Sequence, residues 1–411
     1  MKFHFPPSNR PPSVSPENWQ DWQWQLRNSP SERDDFTPWL TLNESEAPAF
    51  SQSLFAVRVT PYYLSLIDPN DPDDPIRRMA IPHTNEGQKG TQALLDPLNE
   101  RENNPAPRII HRYSDRALFL VTDWCSVYCR YCTRKHFTGQ SKVLPNSDEY
   151  RLALQYLRDT PGICEVILSG GDPLTLSDSK LEKILSDLRA IPHIEIIRIG
   201  SRMPVVCPMR ITPELTQMMR RFKPVYVMTH FNHPKELTLE AQMALELLVD
   251  HGIPLFNQMV LLNGVNNHPA IVQALNRRLL YLRVKPYYMF QCDPSMGSDH
   301  WRTPINEGEA ILRELWGHLS GLAMPQFSLD IPGGGGKVTL VPNFETNREG
   351  NRRRYQGWDG IEQEYIDPPP SQMKLPSDYH KYLAEWETIK SARRKATRHL
   401  DKNAPQTHRL E

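Results

Sequence analysis

Between residues 116 and 331 the chain alternates between two hydrophobic rhythms, and few folds accept that alternation. Short apolar runs recur: "RALFLVT" (116–122), "CEVILSG" (164–170), "IEIIRIG" (194–200), "PVYVMTH" (224–230), "PLFNQMVLL" (254–262), "KPYYMFQ" (285–291) and "PQFSLDI" (325–331). Helix-like segments fall between them, near 148–158, 178–190, 213–222, 235–251, 269–282 and 306–320. Repeated strand–helix–strand units place strands in parallel with helices outside. The expected fold is therefore α/β, a TIM-like barrel or part of one, with about six to seven units where a closed barrel needs eight.

The flanks read differently. Residues 1–16 are proline-rich and are expected to be a disordered tail, and 17–110 to form an N-terminal helical region of short helices and long polar loops. "SPENWQDWQWQLRN" predicts one amphipathic helix carrying Trp19, Trp22 and Trp24, and "DPNDPDDP" (68–75) predicts a loop or a poorly ordered stretch. The barrel is expected over 111–331 and a C-terminal extension over 332–411. In that extension "GGGG" reads as a flexible loop, "NREGNRRR" as polar, and 377–403 as an exposed charged helix.

Charge and composition exclude several functions. The 48 Lys and Arg balance 48 Asp and Glu, so nothing demands nucleic acid or an anionic membrane. No run approaches the roughly 18 apolar residues of a spanning helix. The N-terminus lacks the apolar core of a secretory signal. A cytoplasmic enzyme is the expectation.

The six cysteines do not form a disulfide framework. Three of them, Cys125, Cys129 and Cys132, cluster in "CSVYCRYCTRKH" with C-x3-C-x2-C spacing, while Cys164, Cys207 and Cys292 stand alone. Three thiolates with His136 suit a zinc ion. Three thiolates alone suit an iron–sulfur cluster with one open iron. Zinc modules usually stand alone, whereas this cluster follows the first strand of a barrel that already has a core. Barrel chemistry gathers where strands end. Ser169, Gly170, Gly171 and Asp172 end the second strand and His230 the fourth; Asn257 and Gln258 lie in the fifth, Asp293 follows the sixth, and Asp330 ends the seventh.

The cysteine spacing together with "SGGDPL" (169–174) resembles the radical S-adenosylmethionine (SAM) superfamily. The resemblance implies a partial (β/α)6-type barrel with the cysteines holding a [4Fe-4S] cluster. It also implies an open iron that binds SAM, and Gly170, Gly171 and Asp172 at the SAM amino group.

"DIPGGGGK" is not a Walker loop, because Ile331 stands where that motif needs glycine. Lys337 on a glycine tether suits reversible bonding to a carbonyl, as in pyridoxal phosphate (PLP) enzymes, or simply a solvated loop. Over roughly residues 17–345 the chain resembles the lysine 2,3-aminomutase family, through "TPYYLSLIDPNDPDDPIRRMAIP", "HRYSDRALFLVTDWCSVYCRYCTRKHFTGQ", "THFNHP", "FNQMVLLNGVN", "QCDPSMGSDHWRTP" and "DIPGGGGK".

That resemblance implies a reaction: the α-amino group of L-lysine moves from C2 to C3, giving β-lysine, by way of a 5′-deoxyadenosyl radical and a PLP external aldimine. It makes Lys337 the PLP lysine, with Arg112, Tyr113 and Arg116 anchoring that cofactor and His230 and Gln258 near SAM. Arg134 would clamp the substrate carboxylate, and Asp293 and Asp330 would receive the ε-ammonium. An electron donor such as flavodoxin or ferredoxin, and a homo-oligomer in which Asp293 reaches a neighbouring site, are implied as well.

Two departures accompany the resemblance. No cysteine follows Cys292 and position 268 is histidine, so the structural zinc of the clostridial type is expected to be absent. Lys135 and His136 replace an arginine run after the third cysteine. Arginine remains an alternative substrate, since a guanidinium also pairs with two acids. So does a β-lysine-supplying role in translation-factor modification, though such relatives are shorter at the N-terminus.

Overall fold

The computed structural model describes residues 3–368 apart from 54, 89, 91, 136 and 140–146, and beyond 368 only Leu383 and Glu387. Nine strands make one sheet in chain order: β1 (Ile109–Tyr113), β2 (Arg116–Thr122), β3 (Glu165–Gly170), β4 (Ile196–Gly200), β5 (Val225–Thr229), β6 (Leu255–Leu261), β7 (Val284–Gln291), β8 (Gln326–Ile331) and β9 (Gly336–Leu340). β2 to β8 pair in parallel, and antiparallel β1 and β9 flank them. Six helical crossovers join the seven parallel strands, on Ser147–Arg158, Asp178–Arg189, Pro213–Arg220, Leu239–Asp250, Pro269–Tyr281 and Ile305–Leu315. This is the partial barrel that the apolar rhythm predicts.

The strands bury alternate residues, as in β3 and β6, because one face meets the helices and the other meets the barrel interior. Helices begin on oxygen-bearing caps: Ser177, Thr212 and Thr238 each accept a backbone N–H of the first turn.

The flanks differ from expectation in three places. The first residues lie against the barrel: Phe5 is buried in the core, and Ser8 donates to Glu240 through Oγ at 2.6 Å. Proline removes backbone donors but does not stop an aromatic side chain from burying itself. The Trp-rich segment is two helices, Pro16–Gln20 and Trp22–Arg27, because Asp21 leaves the helical conformation and caps the second through Gln23 N at 2.8 Å. The loop expected at "DPNDPDDP" is present, and it is ordered around Asp74, which accepts from Ile76 N and Arg77 N and caps Pro75–Ala80. The polar stretch after β9 forms a second sheet, β10 (Glu345–Glu349), β11 (Arg352–Gln356) and β12 (Glu362–Ile366), laced by cross-strand pairs such as Arg352–Glu364. The helix expected over 377–403 lies outside the described residues, save that Leu383 and Glu387 are helical.

Candidate active site

The cysteine loop leaves β2 and is braced by the N-terminal region. Arg130, fully buried, forms a two-pronged pair with Glu86, Nε–Oε1 2.8 Å and Nη2–Oε2 2.5 Å, and donates to Ala56 O. Its backbone N–H donates to Met79 O, and that of Tyr128 to Arg58 O. The loop is thereby held at the strand ends.

Donors surround the thiols. Arg202 donates from Nη1 to Cys129 Sγ at 2.9 Å, and the Arg134 backbone N–H reaches Cys132 Sγ at 3.4 Å. Burial pushes the Cys125 thiol well up, helped by Asp172 and the other two cysteines, and pushes Cys132 up as well. A thiol held in its neutral form, as at Cys125 and Cys132, ionises more readily once a positive group compensates it, which suits an iron cluster. His136, the fourth ligand of the zinc alternative, lies outside the described residues. Among the described residues no three His, Cys, Asp or Glu side chains are grouped to hold a single metal ion.

Gly170 and Gly171 run against the end of β2. Gly170 has φ +120°, and a Cβ there would come 2.2 Å from Thr122 O; one on Gly171 would come 2.3 Å from Trp124 O. Only glycine permits this approach. Gly171 N donates to Thr122 O at 2.6 Å and Asp172 N to Trp124 O at 2.9 Å. The Asp172 carboxylate turns inward and accepts from Ser201 Oγ, Arg202 N and Leu174 N, so it ties β3 to the loop after β4.

His230, after β5, stacks on Tyr131 and shares a 2.8 Å hydrogen bond between Nε2 and the Tyr131 hydroxyl. Burial, then the charge of Arg202, lowers its pKa to about 4, so it is neutral. The Gln258 backbone bonds this imidazole. The Asn257 amide bonds to Thr229 and Phe231 and stitches β6 to β5.

At the other end of the mouth, β8 and β9 form a hairpin closed by the glycines, so Lys337 sits on a strand rather than on a loose tether. Asp330 and Lys337 are register partners, with Nζ 3.1 Å from Oδ1 and 3.0 Å from Oδ2. The Lys337 backbone N–H donates to the Tyr113 hydroxyl, and Arg112 Nη1 lies 3.9 Å from Asp330 Oδ1. Arg116 turns aside: it pairs with Asp115 at 2.9 Å and covers the Tyr113 ring at 4.3 Å. Asp293, after β7, leaves Oδ1 buried without a partner among the described residues. Burial, then Asp330, pushes its carboxyl up to about 7, against Lys337, Arg112 and Arg302. A buried carboxylate oxygen with an open valence beside a second acid is an invitation to a cation.

Arg134 follows Cys132 and ties the cysteine loop to β3. Nε and Nη2 grip Glu100 at 2.8–3.0 Å and Nη1 donates to Ser169 Oγ at 2.8 Å. His268 serves as a helix cap, accepting from Ala270 N at 3.2 Å.

Sequence reasoning missed Arg202, Glu236, Glu100 and the Arg130–Glu86 pair. Arg202 follows the end of β4, the one parallel strand end to which no polar residue had been assigned; that gap was the signal. Glu86 and Glu100 lie in the N-terminal region, where only tertiary contact gives them meaning.

The cysteine loop and glycine turn at the head of a partial barrel define a radical SAM enzyme, and the Radical SAM superfamily model matches residues 119–273. A second model, described as Lysine-2,3-aminomutase, matches residues 312–401. The L-lysine 2,3-aminomutase of Clostridium subterminale is 46% identical over 357 residues, 86% of this chain and 86% of that protein. The Bacillus subtilis (strain 168) L-lysine 2,3-aminomutase is 43% identical over 86% of this chain and 76% of its own length. The glutamate 2,3-aminomutase of Clostridioides difficile (strain 630) is 39% identical over 87% of this chain and 85% of its own. The chain belongs to the lysine 2,3-aminomutase family, and it is an aminomutase isomerase with a radical SAM domain, which implies a [4Fe-4S] cluster and SAM. Among the described residues no helix is long and apolar enough to cross a membrane.

Proposed function

We propose that this enzyme moves the α-amino group of free L-lysine from C2 to C3 and releases β-lysine, with PLP held at Lys337. The carrying observation is the acid pair: Asp293, its Oδ1 unpartnered, and Asp330 stand together beside Lys337 at the ends of β7 and β8. A pair of acids attracts a cationic side chain and repels a carboxylate, which separates lysine from glutamate.

When bound, the reduced cluster with SAM supplies a 5′-deoxyadenosyl radical, and PLP supplies a carbonyl for an amine and a π-system that spreads an unpaired electron. The chain's own residues do the rest. Cys125, Cys129 and Cys132 would hold the cluster, and Gly170 and Gly171 would let the backbone come close to SAM. Asp172 keeps that turn in place from behind. His230 and Gln258 would lie beside SAM, and the neutral imidazole would accept or donate one hydrogen bond without adding charge. Arg112 and Tyr113 flank Lys337 and anchor PLP; Arg116 contributes through the Tyr113 ring. Arg134 presents its remaining N–H groups to the substrate carboxylate while Glu100 fixes its plane. Asp293 and Asp330 hold the ε-ammonium, so the lysine chain is stretched from one side of the mouth to the other. A low-potential electron carrier such as flavodoxin or ferredoxin, and a homo-oligomer, complete the reading.

The test is anaerobic. Protein reconstituted with iron, sulfide and PLP is given dithionite, SAM and either L-lysine, L-arginine or L-glutamate, and the products are separated by chromatography. β-Lysine from lysine alone is expected. β-Arginine alone would move the substrate assignment, and β-glutamate would remove the role of the acid pair.

A further inference from the structure

Arg202 is built into the molecule more tightly than a barrel core requires. It is 8% exposed and Glu236 is 0% exposed. Arg202 Nη2 donates to Glu236 Oε1 at 2.8 Å and to the Tyr63 hydroxyl at 2.7 Å, and Nη1 donates to Cys129 Sγ at 2.9 Å. The rings of Tyr63 and Tyr131 lie 5.1 and 5.9 Å from its guanidinium carbon. Glu236 is fixed in turn: Oε2 accepts from Asn232 N at 2.6 Å and His233 N at 2.9 Å, and Oε1 accepts from the Tyr63 hydroxyl at 2.7 Å.

A buried ion pair of this kind is often no better for stability than apolar side chains of the same volume. Its geometry has another use. Cys129 receives a side-chain cation's hydrogen bond, whereas Cys132 receives a backbone N–H at 3.4 Å. Hydrogen bonds to ligand sulfurs and local charge are levers on an iron–sulfur cluster's reduction potential.

We propose that Arg202, oriented by Glu236 and Tyr63, is a positioning residue that raises the reduction potential of the cluster through its hydrogen bond to Cys129 Sγ. This rests on the reading that Cys125, Cys129 and Cys132 hold the cluster. Reduction adds one electron, taken from an external one-electron donor, and increases negative charge on the cluster and its sulfurs. The guanidinium N–H favours that added charge, and the Glu236 carboxylate opposes it. The two residues therefore act with opposite sign.

The experiment uses reconstituted holoprotein: parent, R202Q, R202K, E236Q and C129A. Iron and sulfide content and the EPR signal of the dithionite-reduced protein report cluster assembly; an EPR-monitored potentiometric titration gives the midpoint. R202Q should lower the midpoint, R202K should fall between R202Q and the parent, and E236Q should raise it. A purely structural role would not move the two partners in opposite directions. An R202Q midpoint equal to the parent's, or R202 and E236 variants shifted the same way, overturns the proposal. If R202Q assembles no cluster, the opposed signs of R202K and E236Q decide in the same manner. Normal assembly in C129A refutes the ligand reading separately, through iron content and not through the midpoint.

Discussion

Lys337 Nζ lies 3.0 Å from Asp330 Oδ2 across the β8–β9 hairpin. This pair places one ammonium on the acid to which we assign another. Removing it should free the acid for substrate. Cofactor-free K337A should bind L-lysine about 2- to 5-fold more tightly than the cofactor-free parent by calorimetry, the size of a half-exposed ion pair. Equal or weaker binding would place the ε-ammonium elsewhere.

The acids themselves should act on substrate capture. D293N or D330N should lower kcat/KM for lysine about 10- to 100-fold, as expected for a lost charge-assisted hydrogen bond, mostly through KM. Steady-state kinetics on reconstituted protein checks this. An unchanged KM in both variants removes the pair from the substrate site.

Asp293 also sets a pH dependence. Its pKa of about 7 lies above its ordinary value of 3.8, so the folded chain keeps a proton that the unfolded chain has lost. Its contribution to stability is present below about pH 4 and is lost as pH rises toward 7. Cation binding needs the carboxylate and runs the other way. kcat/KM for lysine should rise with pH through about 7 in the parent, and this limb should flatten in D293N.

His230 has the opposite linkage. Its pKa of about 4 lies below the ordinary 6.5, so the unfolded chain takes up a proton first as pH falls. The stability it contributes is present above 6.5 and lost toward 4. H230Q should show a shallower fall in Tm across that window than the parent.

Gly170→Ala tests the turn beside the cysteine loop. At φ +120° an L side chain is strained, which costs about 1–3 kcal/mol before the 2.2 Å contact with Thr122 O is counted. Denaturant unfolding should show a loss of at least that size, with reduced iron incorporation.

Much of the barrel was legible in the sequence because each strand repeats one simple signal. From "CEVILSG" to "PQFSLDI", a short apolar run between helical patterns has one stable use in a parallel sheet. The strand setting of Lys337 was not legible. Four glycines suggest looseness, yet Gly333, Gly334 and Gly336 take positive φ values that turn a hairpin. The buried Phe5 was not legible, because a proline-rich tail reads as disordered in sequence, while burial depends on what the segment packs against. Arg202 and Glu236 could not be paired from sequence, being 34 residues apart on loops after different strands.

The most direct measurement follows the nitrogen itself. L-Lysine labelled with 15N at the α-amine and 13C at C2 and C3 is turned over by the reconstituted enzyme under anaerobic conditions and read by 13C NMR. The account predicts that the one-bond 13C–15N coupling disappears from C2 and appears at C3. Coupling that stays at C2 after full exposure to SAM and reductant, with cluster and PLP both bound, would contradict it.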